Sequence, residues 1–233
     1  MRINQRKLDQ LRNVEIKTNW NPYAEGSVEV SYGNTKILVT ASCSKDLPKW
    51  KSDESGWITA EYSMLPRSTH TRIKREQNAR AKEIQRLIGR SLRMAVDLDS
   101  IPNLSIRVDC DVIVADGGTR TASISGAWVA LYLALKSSVK EGLLDKMPKI
   151  NQIAAVSVGG VNGEKLLDLC YEEDSNAEFD LNLVFNSNMD LIEIQGTAET
   201  KAVPLNQISE YLELAGKGIE QILAIQKEAI EKN

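Results

Sequence analysis

"CDVIVADGGTRTASISGAWVALYLALKSSV", residues 110–139, sets the fold class. Cys110 to Ala115 is an apolar run of strand type. It passes through Asp116-Gly117-Gly118-Thr119-Arg120-Thr121 into a long segment rich in Ala, Leu and Val. A strand, a glycine turn and an apolar helix in direct succession predict a layered protein in which a buried helix packs on a sheet. The strand starts earlier, as "LSIRVD" (104–109), alternating at first and continuously apolar later, which predicts burial on both faces. The turn suits an anion. A helix N-terminus leaves backbone N–H groups without partners and carries the positive end of the helix dipole. Gly117 and Gly118 allow close backbone approach, Thr119 and Thr121 add hydroxyls, and Arg120 adds a fork that matches two phosphate oxygens. Thr121 or Ser123 is the expected N-cap of a helix over about Ala122 to Leu144. Neither GxxxxGK[ST] nor GxGxxG is present. From these residues alone, a phosphate site and a plain Gly-Gly turn with a solvated arginine stand level.

Working outward, three stretches read as hairpins. They are "GSVEVSYGNTKILVTAS" (26–42) around Gly33-Asn34, "IAAVSVGGVNGEKLLDLCY" (153–171) around Asn162-Gly163, and "FDLNLVFNSNMDLIEIQ" (179–195) turning near Asn186 to Asn188. Two more helices are expected. One runs from Lys82 to Val96 with Ile84, Leu87, Ile88, Leu92, Ala95 and Val96 on one face. The other follows Pro204, with a stripe of Ile208, Tyr211, Leu212, Ala215, Ile219, Ile222 and Leu223. The hairpin after residue 153 echoes the one after residue 26. The expected architecture is therefore α+β, one unit with an internal duplication over approximately 1–147 and 148–233, joined near Met147-Pro148.

The 233 residues are 42% hydrophobic and 26% charged, ordinary for a soluble globular chain. No run of 18 apolar residues and no apolar stretch behind the N-terminus occur, so neither a membrane span nor a signal peptide is expected and the default compartment is the cytoplasm. Cys43, Cys110 and Cys170 read as buried reduced thiols, and one histidine, His70, leaves no zinc cluster to build. The net charge of −3 hides a segregation: Arg67 to Arg93 holds nine basic residues against Glu76 and Glu83, leaving the remainder distinctly acidic. Such a block is the footprint of a polyanion partner. Arg67, Arg72 and Arg75 fall in loop context, Arg80 just before the first helical turn, and Arg86, Arg90 and Arg93 on the helix. In "YEEDSNAEFDLNL" (171–183), Asp174 and Asp180 are an even number apart and share a face if the chain between them is extended. Carboxylates near a phosphate suit Mg²⁺, although on their own they read better as an acidic loop.

Together these three sites resemble ribonuclease PH, the family of phosphate-dependent exoribonucleases that trim tRNA precursors. The resemblance runs through "LDQLRNVEI", "EGSVEVSYGNTKILVTAS", "GWITAEYSMLPRSTHTR", "EIQRLIGRSLR", "CDVIVADGGTRTASISGAWVAL", "AAVSVGGVNGEKLLDLCYEEDSNAEFDLNLV" and "IEIQGTAE". It implies a duplicated mixed-sheet α+β fold with helices between and outside the sheets. It implies phosphorolysis of RNA 3′ ends by inorganic phosphate, with release of nucleoside 5′-diphosphates. It places phosphate on Gly118, Thr119, Arg120 and Arg80, Mg²⁺ or acid chemistry on Asp174 and Asp180, and tRNA on Arg67, Arg72 and Arg75. It implies a homo-oligomeric ring, usually a hexamer built as a trimer of dimers. The chain departs from the family between "HTR" and "EIQR", where the segment is short and Ala79 stands in place of a Gly-Gly. Arg80 is matched there by its distance from Glu83-Ile84-Gln85-Arg86, with Arg75 as the competing candidate. A non-catalytic RNA-binding ring subunit of an exosome-like assembly is the alternative. It is disfavoured by the presence of Arg120, Asp174 and Asp180. An anion-binding metabolic enzyme is disfavoured by the arginine block.

Overall fold

The structure, a computed structural model, describes residues 2–3, 5–75, 79–200 and 202–232. The chain forms β1 (Val14–Thr18), β2 (Gly26–Tyr32), β3 (Thr35–Ser44), β4 (Trp57–Met64), α1 (Ala79–Ala95), β5 (Ser105–Val114) and α2 (Thr119–Lys140). It continues through β6 (Ile153–Val161), β7 (Glu164–Leu167), α3 (Tyr171–Ser175), β8 (Phe179–Asn186), β9 (Leu191–Ala198) and α4 (Leu205–Glu231). The first five strands make a mixed sheet in the order β1-β2-β3-β5-β4, in which only the β4–β5 pairing is parallel. The last four make an antiparallel sheet, β7-β6-β8-β9.

All three expected hairpins form. In the second, Asn162 and Gly163 both have positive φ, 51° and 79°, as a type I′ turn requires. Helix α2 packs against strands of both sheets and against α1 and α4. Its burial from Thr121 to Leu131 is complete on every side, which explains why its sequence shows no polar face. By length and composition α2 passes for a membrane span, yet most of it is buried inside this fold. Two of its polar side chains are matched: Ser125 accepts from the Tyr32 hydroxyl at 2.9 Å, and the Trp128 indole donates to the Asn151 carbonyl at 2.9 Å. Buried Gln226 on α4 donates to the carbonyls of Ser125 and Ile153 and ties α4 to α2 and β6. Every residue of the expected α1 stripe is buried. In the α4 stripe Tyr211, Ala215, Ile219 and Ile222 are buried, while Ile208, Leu212 and Leu223 are half-buried.

Several expectations are corrected. β5 alternates as far as Ile113 instead of being buried on both faces, and its last residue is outside the core: Ile113 is half-buried and Val114 is 39% exposed. The helices cover only one face of this sheet, so the other remains open to solvent. α1 begins at Ala79, which puts Arg80 inside its first turn. α2 begins at Thr119, because two left-handed glycines let the chain enter the helix earlier, and ends at Lys140, where left-handed Gly142, φ 74°, terminates it. The N-cap is Gly118, with no side-chain cap. The Thr121 hydroxyl instead donates to the Gly118 carbonyl at 3.0 Å. β1, β4 and α3 are additions to the elements expected from the sequence. Because α3 is helical, Asp174 and Asp180 do not share an extended face. Cys110 and Cys170 are buried thiols and Cys43 is partly buried, with burial raising the Cys43 thiol to about 11. Glu76, inside the basic block, lies outside the described residues.

Candidate active site

The strand-to-helix turn is built so that its carbonyls face inward and its amides outward. The Asp116 carbonyl accepts from Arg12 Nη1 at 2.6 Å. The Gly117 carbonyl accepts from Thr35 Oγ1 at 2.6 Å, and the Gly118 carbonyl from the amide of Ala122 at 3.0 Å. In a planar trans peptide the N–H points opposite to the C=O. Pinning these three carbonyls therefore turns the N–H groups of Gly117, Gly118 and Thr119 the other way. Among the described residues these amides meet no protein acceptor. Gly117 and Gly118 hold φ of 74° and 65°, which favours glycine.

The amides border a cavity of about 630 Å³. Arg80 from the first turn of α1 and Arg120 from α2 enter it with Lys74. Asp174 from α3 and Asp180 from β8 enter it from the second sheet. The register of that sheet explains part of the wall. Ser157 on β6, Asn182 on β8 and Gln195 on β9 are cross-strand partners in one row, and Gly159, Asp180 and Thr197 form the neighbouring row on the same face. Asn182 donates to Asp180 Oδ2 at 3.3 Å. Arg120 donates to Gln195 and lies 3.6 Å from Glu83, which itself accepts from Gln195. Tyr62, on β4 at the cavity floor, shares a 2.9 Å hydrogen bond with the Thr119 hydroxyl.

Charge in the cavity is opposed in sign and close. Burial raises the pKa of Asp174, against the pull of Arg80, Arg120 and Arg12. Burial raises Asp180 as well, followed by repulsion from Asp174, with Arg120 and Arg80 opposing. Two carboxylates that repel each other in a half-buried site, beside an anion cradle, could hold a hard divalent cation. No group of three metal-ligating side chains is found among the described residues.

Thus Gly118, Thr119, Arg120, Arg80, Asp174 and Asp180 line one cavity, although they come from four separate elements. Arg67, Arg72 and Arg75 do not line it. They are exposed on the segment whose Thr69, His70, Thr71 and Lys74 do, so of the two competing arginines it is Arg80 that reaches the cradle. On α1, Arg90 pairs with Glu193 at 2.8 Å and Arg93 stacks over Trp57. Four contributors went unread in the sequence: Tyr62, Gln195, Arg12 and Asp168. Asp168 had a signal. It is a lone carboxylate inside the apolar run "LLDLC" (166–170), and such a group requires a buried cation partner.

A two-sheet α+β fold with an amide cradle, two arginines and a carboxylate pair on one cavity defines a class of protein built for phosphate-group chemistry. Sequence models of the 3′ exoribonuclease family match here, domain 1 over residues 10–136 and domain 2 over residues 151–218. The chain belongs to this family. It is 51% identical over 236 aligned positions to Ribonuclease PH of Caulobacter vibrioides, in strain NA1000 / CB15N and equally in strain ATCC 19089 / CIP 103742 / CB 15, covering 99% of both chains. Among solved structures, rice (Oryza sativa) Rrp46 superposes with a TM-score of 0.82 at 19% identity, over 98% of this chain and 100% of that one. The Archaeoglobus fulgidus exosome with RNA bound to the active site gives a TM-score of 0.82 at 22% identity, over 95% and 91%. At those identities the likeness establishes the fold.

Proposed function

We infer that this protein is a phosphate-dependent 3′-to-5′ exoribonuclease that trims the 3′ ends of tRNA precursors. The observation that carries the reading is the cradle. Three outward amides at a helix N-terminus and two arginines converge on one cavity with a carboxylate pair. Family membership and 51% identity to a ribonuclease PH support the same reaction.

In the proposed reaction an oxygen of inorganic phosphate forms a bond to the phosphorus of the terminal 3′ phosphodiester. The bond from that phosphorus to the 3′ oxygen of the penultimate nucleotide breaks. A nucleoside 5′-diphosphate leaves, and the shortened chain takes up a proton on its 3′ oxygen. Bringing two anions together is the main obstacle, and fixed charge offsets it. The amides of Gly117 to Thr119, the Thr119 hydroxyl, Arg80 and Arg120 hold the attacking phosphate. Arg120 exchanges Gln195 and Glu83 for phosphate oxygens when the phosphate binds. Asp174 and Asp180 would hold Mg²⁺, which would supply charge neutralisation at the scissile phosphate. Asp180 is the alternative proton donor to the leaving oxygen, a role supported by its raised pKa. Exposed Arg67, Arg72 and Arg75 meet the RNA backbone. The subunits form a homo-hexameric ring, a trimer of dimers, and the two sheets represent an internal duplication divided near residue 147.

Replacing Arg120 by Ala lowers phosphorolysis by about 10²–10³-fold, by analogy with loss of one oxyanion donor. Wild-type activity on a 3′-extended tRNA that does not depend on added phosphate overturns the reading.

A further inference from the structure

We propose that the buried Arg12–Asp168 pair is a positioning device that fixes the phosphate cradle against the helix bearing Asp174. The proposal rests on the reading of the site as a phosphate and metal centre, and it concerns residues that line no part of the cavity.

Asp168 is fully buried between β7 and α3. Its Oδ1 accepts from Arg12 Nη2 at 2.7 Å, and its Oδ2 accepts from the Arg12 amide at 2.8 Å and from Nε at 3.0 Å. The remaining guanidinium nitrogen, Nη1, donates to the carbonyls of Asp116 at 2.6 Å and Gly117 at 3.4 Å. One side chain thus spans the two halves of the site. On one side it grips the turn before α3. On the other it holds the carbonyls whose peptide partners are the amides of Gly117 and Gly118. If Arg12 lets go, those peptides are free to rotate and the cradle loses its aim.

The same turn is secured from below. Arg2 and Arg6 donate to the Asp168 carbonyl at 3.2 and 3.0 Å, and both pair with Glu173, the residue before Asp174. Glu173 in turn accepts from the Cys170 amide at 3.1 Å, at the start of α3. Asp116 Oδ1 accepts from the Tyr171 amide at 3.3 Å, a second link between the loop and α3. The contact surfaces leave little slack: a Cβ on Gly118 would stand 2.7 Å from Arg12 Nη2. The Arg12 charge is also one of the three that favour ionised Asp174. A stability role alone would need the Arg12–Asp168 pair. It would not need the third nitrogen aimed at the cradle carbonyls.

Two variants test the idea. Asp168 has φ of 56°, and Asn tolerates that region as well as Asp does, so Asp168→Asn removes charge without backbone strain. Arg12→Lys keeps the charge and loses the fork. In each, the KM for phosphate and the Mg²⁺ concentration giving half-maximal activity rise together by about tenfold, the low end for loss of an outer-shell partner. The KM for RNA stays within about twofold, since substrate contacts elsewhere are untouched. Gln226→Met, which breaks a buried tie of α4 to α2 and β6 away from the cavity, lowers thermal stability without moving the phosphate KM. The proposal is overturned if kcat falls while both constants stay put, if only one moves, or if Gln226→Met moves them equally. Failure of Arg12→Lys to fold overturns it too, because the pair is then a stability element. If Asp168→Asn does not fold, Arg12→Lys decides. Absence of phosphate dependence in the wild type would instead defeat the functional reading on which the proposal rests.

Discussion

Replacing Gly117 by Ala separates backbone strain from the packing that holds the cradle in place. Gly117 has φ of 74°, and a Cβ there would lie 2.6 Å from the Cys170 carbonyl carbon and 2.7 Å from both the Leu169 oxygen and the Tyr171 nitrogen. All three are backbone atoms and cannot swing aside. Gly163 supplies the control, since its φ is 79° but nothing lies within 4 Å of its Cβ position. Left-handed backbone costs an L-residue about 1–2 kcal/mol at either position. The overlap at Gly117 adds about 1–3 kcal/mol, the usual range for forced overpacking. Urea unfolding followed by circular dichroism should therefore place Gly117→Ala below Gly163→Ala by that second amount. The functional difference is larger. Relief of the overlap pushes the loop from α3, and a displacement on the order of 1 Å costs about 10²-fold in rate. Phosphorolysis at varied phosphate should show that loss in Gly117→Ala and near-normal constants in Gly163→Ala. Equal stabilities in the two variants, with an unchanged phosphate KM in Gly117→Ala, would refute the reasoning.

Three further outcomes follow from the cavity. Burial raises both carboxylates, so in the folded state they retain protons where unfolded aspartates are ionised, and their contribution to stability falls as pH rises through that window. A bound cation offsets the cost: Mg²⁺ should raise Tm at neutral pH, by about 2.7 kcal/mol of stabilisation at a hundredfold excess over Kd, and the double variant Asp174→Asn/Asp180→Asn should not respond. Glu199 raises both aspartates through its charge, so Glu199→Gln lowers them and moves the acid limb of the activity profile to lower pH; a limb that stays or moves upward contradicts the assignment. Tyr62→Phe removes the partner of the Thr119 hydroxyl and should raise the phosphate KM by about fivefold, the equivalent of one ordinary hydrogen bond of about 1 kcal/mol, with the RNA KM unchanged.

The parts of this fold that were legible in the sequence are those with strong local chemistry. Asn162-Gly163 can hardly be anything but a hairpin turn, and Ile84, Leu87, Ile88 and Leu92 recur at helical spacing. β4 does carry a period-2 signal, with Ile58, Ala60 and Tyr62 against Thr59, Glu61 and Ser63, and it went unread beside the basic loop. α3 was hidden because a five-residue helix has no periodicity to show. The start of α2 was misplaced because Gly118 caps by backbone conformation, whereas capping rules look for a side chain, and its end because left-handed Gly142 stops it before Leu144. Most of the site was legible as residue types: Gly118-Thr119-Arg120, Arg80, Asp174 and Asp180. The way they meet was not. Asp174 reaches Asp180 through the turn of α3, and Gln195 reaches Arg120 through a cross-strand row. Both depend on sheet order, which a single sequence does not encode locally. Arg12 lies more than 100 residues from the loop it holds, and only the isolated charge of Asp168 hints that such a partner exists.

The account turns on phosphate as the attacking group. A tRNA carrying a short labelled 3′ extension, incubated with the protein and Mg²⁺ with and without inorganic phosphate, tests this most directly. The account predicts nucleoside 5′-diphosphates released one at a time from the 3′ end, only when phosphate is present. Nucleoside monophosphates, appearing at the same rate without phosphate, would contradict it.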